Sequence, residues 1–189
     1  MPATLDDVAW PLQTVRLLIR RAAIGDAEAV WSYRRLPEVS HYMTALVDRL
    51  EDFEEYFADR LGRTLIVERD GVVVGDLMVR LQDAWAQREV VEQAVGTQAE
   101  IGWAFHPAHQ GRGYATESAR ELLRLCFEDL GLHRVEALCF AANQPSWRLM
   151  ERIGMRRESH TVAESLHRSG DWMDGLGYAM LAMEWTDAG

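Results

Sequence analysis

The hydrophobic positions change period several times along the chain, and each change predicts an element. Residues 1–13 read as an unstructured or loosely docked lead-in. Val15 to Arg20 (VRLLIR) is a short apolar run that predicts a strand. Ala27, Val30 and Trp31 then take helical spacing behind Asp26, a residue type that caps helices, and Leu36-Pro37 ends that helix near Arg35. Asp48 to Leu61 predicts a second amphipathic helix, with Leu50, Phe53, Phe57 and Leu61 on one side and acids on the other. Arg63 to Glu68, the dipeptide Asp70-Gly71 and Val72 to Arg80 form a strong hairpin signal. Gln82 to Gln98 interrupts the pattern and reads as a long loop, a short helix or a hairpin extension.

The second half is more regular. Ala99 to Phe105 predicts a strand. Tyr114 to Leu130 predicts a long helix, with Ala119, Leu122, Leu123, Cys126, Phe127 and Leu130 on one apolar face and Gly131 as its C-terminal stop. Arg134 to Phe140 predicts a strand, and Pro145 to Ile153 a short helix with Pro at its start and Gly154 after it. Met155 to Glu158 begins another strand, His167 to Gly170 reads as a turn, and Leu176 to Trp185 closes as a strand. The order β-α-α-β-β-β-α-β-α-β-β, with hairpins early and one strand–helix–strand unit later, predicts an α+β fold with a mixed sheet.

At 189 residues the chain fits one domain. Such a domain buries roughly 70% of its unfolded surface and needs no staples. Cys126 and Cys139 fall in apolar stretches and read as inert core thiols, in keeping with a reducing cytoplasm. No stretch reaches the roughly 18 uninterrupted apolar residues of a membrane span. The net charge of −10 disfavours nucleic acid as a ligand and is compatible with a cationic substrate such as an amine, although an acidic surface also simply aids solubility. Six scattered histidines show no metal spacing, so no metal is expected.

The chemistry concentrates at residues 106–117, His-Pro-Ala-His-Gln-Gly-Arg-Gly-Tyr-Ala-Thr-Glu. Gly111 and Gly113 lack Cβ atoms, so the backbone can turn sharply and come close to a ligand. At the start of a helix, several N–H groups then point one way and make an anion site suited to a pyrophosphate. A dinucleotide fingerprint would need glycine where Thr116 stands, and a Walker loop would need Gly-Lys-Ser/Thr. Gln110, Gly113 and Ala115 instead form Gln-x-x-Gly-x-Ala. A plain glycine-rich strand–helix turn would also account for the spacing.

Gln-x-x-Gly-x-Ala resembles the acyl-CoA signature of the GNAT N-acetyltransferases. Four segments in series resemble the ribosomal-protein alanine N-acetyltransferase (RimJ/RimL-like) branch. They are VRLLIRRAAIGDAEAVW, AEIGWAFHPAHQGRGYATES, LGLHRVEALCFAANQPSWRLMERIGMRRE and HRSGDWMDGLGYAML. Together they span about residues 15–185. Two departures are the length of Gln82–Gln98 and the proline within Asn143-Gln144-Pro145-Ser146. The resemblance implies a single GNAT domain over 15–186 behind a lead-in of 1–14. Its central, mostly antiparallel twisted sheet would have about seven strands, splayed at the cofactor site and flanked by about four helices.

The activity implied is attack of a primary amine on the thioester of acetyl-CoA, with no metal. The acceptor would be a protein N-terminal amine or a small-molecule amine, and the protein a cytoplasmic monomer or homodimer with no nucleic-acid or membrane partner. Gln110, Gly111, Arg112, Gly113, Tyr114, Ala115 and Thr116 would cradle the pyrophosphate. Trp103, Ala104, Phe105 and His106 would pair with the pantetheine arm, one backbone N–H there holding the oxyanion. An amine must be neutral to attack, so it needs a proton acceptor. Glu100, an acid in an apolar strand, is the candidate, directly or through water; an arginine partner is its alternative reading. His106 is a second candidate, with a structural or cofactor-contacting role favoured. Ser146 would sit near the leaving sulfur, or else cap the short helix, and Asn143 would bind cofactor amides or a bridging water. His41 and Tyr42 would line the acceptor cleft. A non-catalytic acyl-CoA-binding module would keep the glycine turn without competent acid–base groups.

Overall fold

The computed structural model describes residues 3–185. The helices are α1 Ala27–Arg34, α2 Pro37–Ser40, α3 Leu50–Ala58, α4 Tyr114–Arg124 and α5 Gln144–Arg152. The strands are β1 Leu12–Gln13, β2 Leu18–Arg21, β3 Thr64–Arg69, β4 Val72–Gln82, β5 Gln98–Phe105, β6 Arg134–Phe140, β7 Arg156–Leu166 and β8 Trp172–Leu181. They form one mixed, mostly antiparallel eight-stranded sheet in the order β1-β2-β3-β4-β5-β6-β8-β7. This is an α+β architecture with a mixed sheet. The chain divides into two compact units, Ala9–Val79 with Gly102–Ala119, and the remainder.

In the first unit, β1 to β4 are joined by antiparallel pairing. Asp70 and Gly71 take φ of 52° and 77°, so both central residues of the β3–β4 turn are left-handed, as a tight hairpin requires. Tyr33, Phe53, Phe57, Ile66 and Ala104 build a buried cluster with Ala27 and Val30. Gly75 of β4 has no substitute there. A Cβ on it would stand 2.6 Å from Phe105 Cδ1 and 2.7 Å from the Ala104 carbonyl oxygen.

In the second unit, β6 pairs with β8 from Arg134↔Leu181 to Phe140↔Gly175. β5 runs parallel to β6 only from Gln98↔Arg134 to Glu100↔Glu136. α5 packs on β6, β7 and β8, burying Leu149, Met150 and Ile153. β7 is the outer strand, and its residues are mostly exposed and polar, which blunts an edge that would otherwise pair with other chains.

Several sequence expectations need correction. The lead-in is ordered over its described residues: Thr4 caps a 3-10 turn at Leu5–Asp7, Leu5 is buried, and Leu12–Gln13 pairs with β2. Val15 and Arg16 lie outside the strand because Thr14 and Leu17 close a turn around them. Asp26 precedes α1 without capping it, because its carboxylate accepts from the Arg20 guanidinium at 2.7 and 2.8 Å and from Ala23 N. Leu36-Pro37 follows α1 but also starts α2, with Pro37 at its first position. α4 gives way to a π-helical turn at Leu125–Asp129, within the single helix expected to Leu130. The last strand begins earlier, at Trp172, and stops at Leu181, where a 3-10 turn takes over. Gln82–Gln98 becomes the end of β4, a connection with a 3-10 helix at Arg88–Gln93, and the first residue of β5. Residue 186 of the expected domain lies outside the described residues.

Gly75→Ala should destabilise the protein by about 1–3 kcal/mol, the usual range for overpacking. A urea unfolding midpoint unchanged from wild type would show that β4 and β5 do not press together there.

Candidate functional site

β5 delivers the chain into the glycine turn through His106. The His106 amide donates to the Val74 carbonyl at 3.0 Å, and its Nδ1 accepts from Ala108 N at 3.1 Å. Its ring centroid lies 5.8 Å from that of Tyr33 and 5.5 Å from that of His109. Burial, helped by the neighbouring His106 and Arg112, holds the His109 pKa below its ordinary value.

The turn itself alternates in hand. Gly111 and Gly113 have φ of 73° and 81°, the left-handed conformation that glycine adopts without strain. Such alternation points successive amides to one side and makes a concave anion nest. The nest runs into α4, where Glu117 N already bonds Gly113 O at 3.0 Å, and the amides of Tyr114 and Ala115 have no intrahelical acceptor. A Cβ on Gly111 would meet nothing within 4 Å, so the turn presents open backbone to a ligand. Gln110 Nε2 donates to the Phe105 carbonyl at 3.2 Å and ties the turn to the end of β5. Arg112 is exposed, Trp103 and Ala115 are half-buried, and Ala104 and Phe105 are buried. Tyr114 is buried too, and its hydroxyl accepts from Arg69, so only its backbone faces outward chemistry. Thr116 is half-buried in the first turn of α4.

A clamp that the sequence reading missed fixes this turn. Arg16 donates to the Arg112 carbonyl at 2.9 Å and to Glu117 Oε2 at 2.7 Å. Glu117 Oε1 accepts from Thr14 Oγ1 at 2.6 Å and from Arg16 N at 2.8 Å. A Cβ on Gly113 would stand 3.2 Å from the Arg16 guanidinium. Burial alone would raise the Glu117 pKa, but the Thr14 and Arg16 hydrogen bonds prevail and lower it from its ordinary 4.5. The partners lie about a hundred positions apart in sequence, so no local pattern announces them.

A second missed cluster lies beneath the same region. Asp76 of β4 is fully buried. It accepts from the Tyr33 hydroxyl at 2.7 Å, from Arg34 Nε at 2.9 Å, and from Arg34 Nη2. Burial, reinforced by the Asp76 charge, pushes the Tyr33 pKa well above its ordinary value of 10. The available signal was an acid inside the apolar run VVVGDLMV. His41 and Tyr42 follow α2, His41 exposed and Tyr42 half-buried, with their rings edge-on at 4.4 Å.

Glu100, Asn143 and Ser146 belong to the other unit. The Glu100 carboxylate pairs with the Arg80 guanidinium and lies 3.4 Å from Gln82 Nε2. The arginine partner weighed from sequence is therefore present. Asn143 precedes α5, and its Oδ1 accepts from Ser146 N at 3.4 Å, so Asn143 rather than Ser146 caps the helix. Ser146 hydrogen-bonds Cys139, whose thiol burial pushes up to about 11 despite that bond. Burial pushes Cys126 up to about 12. Both cysteines are free thiols. At neutral pH both stay protonated, which leaves them poor nucleophiles.

A sequence profile of the family described as "Acetyltransferase (GNAT) domain" matches residues 16–156. The chain belongs to the GNAT acetyltransferases. It is 33% identical over 176 residues to the N-acetyltransferase YnaD of Bacillus subtilis, a match covering 93% of this chain and 99% of YnaD. A GNAT-family acetyltransferase from Bacillus anthracis superposes with a TM-score of 0.78 at 32% identity, covering 92% of this chain and 99% of the other. The ribosomal alpha-N-protein acetyltransferase RimL, solved in complex with coenzyme A, shares the fold at a TM-score of 0.74 and 17% identity, covering 89% of this chain and 95% of RimL. This acetyltransferase is thus an N-acetyltransferase acting on an amine acceptor, from a family whose members use acetyl-CoA. Among the described residues, no helix is long and apolar enough to cross a membrane.

Glu117→Gln should cost about 1–2 kcal/mol at pH 7, since it removes a charge-assisted hydrogen-bond set. Glu117 titrates below its unfolded value, so its contribution is full above about pH 4.5 and fades as pH falls through the lowered pKa. Urea unfolding of both proteins should show the gap closing in acid. A gap that does not narrow as the pH is taken progressively below about 4.5 would assign the loss to packing rather than to the charge.

Proposed function

We propose that this chain is an acetyl-CoA-dependent N-acetyltransferase that transfers the acetyl group to a primary amine by direct attack on the thioester. The observation that carries the reading is the alternating turn at Gly111 and Gly113, leading into the first amides of α4 and held by the Arg16–Glu117 clamp. Bound there, acetyl-CoA would supply an activated acyl group on a good leaving thiol. Gln110 to Thr116 would hold its pyrophosphate through backbone N–H groups, with Arg112 adding charge from the exposed rim. The backbone of Trp103 to His106 would order the pantetheine arm, an arrangement inferred from the family resemblance.

The acid–base roles rest on the same resemblance. Glu100 would take the amine's proton directly or through water, with Arg80 orienting its carboxylate. Ser146 would serve the departing sulfur, and Asn143 the cofactor's amides. The resemblance to RimJ/RimL-like enzymes points to a protein N-terminal amine as acceptor, with His41 and Tyr42 near it. The two free thiols suit work in the reducing cytoplasm, as monomer or homodimer.

Incubation with acetyl-CoA and a panel of primary amines should release CoA thiol in step with N-acetylated product. Glu100→Gln should lower kcat by about 100-fold, a typical loss for a proton acceptor, with the KM for acetyl-CoA unchanged. Acetyl-CoA binding without acetylation of any peptide or small amine would favour the non-catalytic module.

A further inference from the structure

Resting on that reading, we propose that Arg16 is a positioning residue for the acyl donor: it holds the Arg112–Gly113 peptide with its N–H turned toward the bound pyrophosphate. The peptide is trans, so its carbonyl and its N–H point in opposite directions. Arg16 Nη1 donates to the Arg112 carbonyl at 2.9 Å. The carbonyl is thereby kept on the Arg16 side of the turn, and the Gly113 N–H faces the other way.

That peptide needs a holder because of its neighbours. Glycine stands on both sides of Arg112, and Gly113 has φ of 81°, the value of the third residue of a type II turn. Glycine takes negative φ about as readily. Exchanging the two rotates the Arg112–Gly113 peptide by about 180°, the difference between turn types II and I, and puts a carbonyl where the N–H had been. A pyrophosphate would then meet an oxygen in place of a donor. A nest that can invert in this way binds an anion well only when one orientation is held beforehand.

Arg16 is itself held firmly enough to do this. Glu117 Oε2 accepts from its Nε and lies 2.7 Å from its Nη2, while its backbone N–H donates to Glu117 Oε1 at 2.8 Å. Thr14 Oγ1 accepts from the Leu17 amide at 3.0 Å and donates to the same Glu117 oxygen at 2.6 Å, so the turn that carries Arg16 is tied down as well. Leu17 is buried and anchors that turn. On the far side of Gly113, the Tyr114 ring centroid lies 5.0 Å from the Arg16 guanidinium and 5.4 Å from that of Arg69, which also donates to the Tyr114 hydroxyl. The Gly113 carbonyl accepts from Glu117 N at 3.0 Å. Both peptides that meet at Gly113 are thus restrained. Glu117 acts on the donor through Arg16: its own charge beside a bound anion is unfavourable, and its favourable part is to orient the guanidinium.

Calorimetric titration with CoA, together with acetyl-transfer kinetics, compares the wild type with Arg16→Met, Glu117→Gln and the double variant, each first shown to be folded by its urea unfolding transition. Arg16→Met should weaken CoA binding by about tenfold, in the range of a charge-assisted hydrogen bond. Glu117→Gln removes a negative charge near the pyrophosphate, so charge alone would tighten binding. With its anchor lost, Arg16 should instead let binding weaken. The double variant keeps the net charge of the wild type and should lose about as much as Arg16→Met, because both changes break one link. The losses should fall on the KM for acetyl-CoA rather than on kcat. Should Arg16→Met not fold, Glu117→Gln, which retains Arg16, decides alone. Tighter binding by Glu117→Gln, or wild-type affinity in the double variant, would show that only the charges matter and would overturn the proposal. Wild-type affinity in every folded variant would reduce the clamp to a structural tie and overturn the proposal alone. A wild type that does not bind CoA would overturn the cofactor reading along with it.

Discussion

A carboxylate cut off from water must be met by charge and hydrogen bonds, and much of the first unit is arranged to meet Asp76. Its burial in β4 would be costly alone. Arg34 and Tyr33 answer it from consecutive positions of α1, which fixes that helix in rotation and depth against the sheet. One residue earlier, Gly75 lets Ala104 and Phe105 approach β4 closer than any side chain would permit. Tyr33 then lies against His106, so the constraint reaches the residue that opens the glycine turn. A buried pair of this kind is weak support for stability, because hydrophobic replacements often match it. Its consequence here is geometric, in that it sets where α1 and its arginines stand.

The glycine turn is held from its other side by a second long-range contact. Left-handed residues make the turn possible but do not make it rigid, since glycine gains freedom in the unfolded chain as well. Arg16 supplies the rigidity by binding both the Arg112 carbonyl and the Glu117 carboxylate. An acid in the first turn of a helix suits the dipole, but it also competes with an anionic ligand. Pairing Glu117 with Arg16 removes most of that competition while keeping the anchor.

Elements governed by local chemistry were legible in the sequence. The Asp70-Gly71 hairpin, the strand Arg134–Phe140, the apolar face of α4 and the short helix before Gly154 follow from turn residues and periodicity. So does the glycine turn. Features decided by distant partners were not. Asp26 reads as a cap by type, yet Arg20 takes its carboxylate. Arg16 reads as a strand residue, yet Glu117 draws it out of the strand. The lead-in lacks periodicity but is ordered by burial of Leu5 and by pairing of Leu12–Gln13. Glu100 illustrates both sides: its candidacy came from its place in an apolar strand, and its partner Arg80, twenty positions earlier, came only from the fold.

The central claim is that the turn from Gly111 into α4 is where the activated acyl donor is held. A crystal structure of the protein with CoA tests it most directly. The account predicts the pyrophosphate within hydrogen-bond distance of the backbone amides between Gly111 and Ala115, with the Arg16–Glu117 clamp unchanged. A pyrophosphate bound elsewhere, or a turn that must rearrange and release Arg16 to accept it, would contradict it.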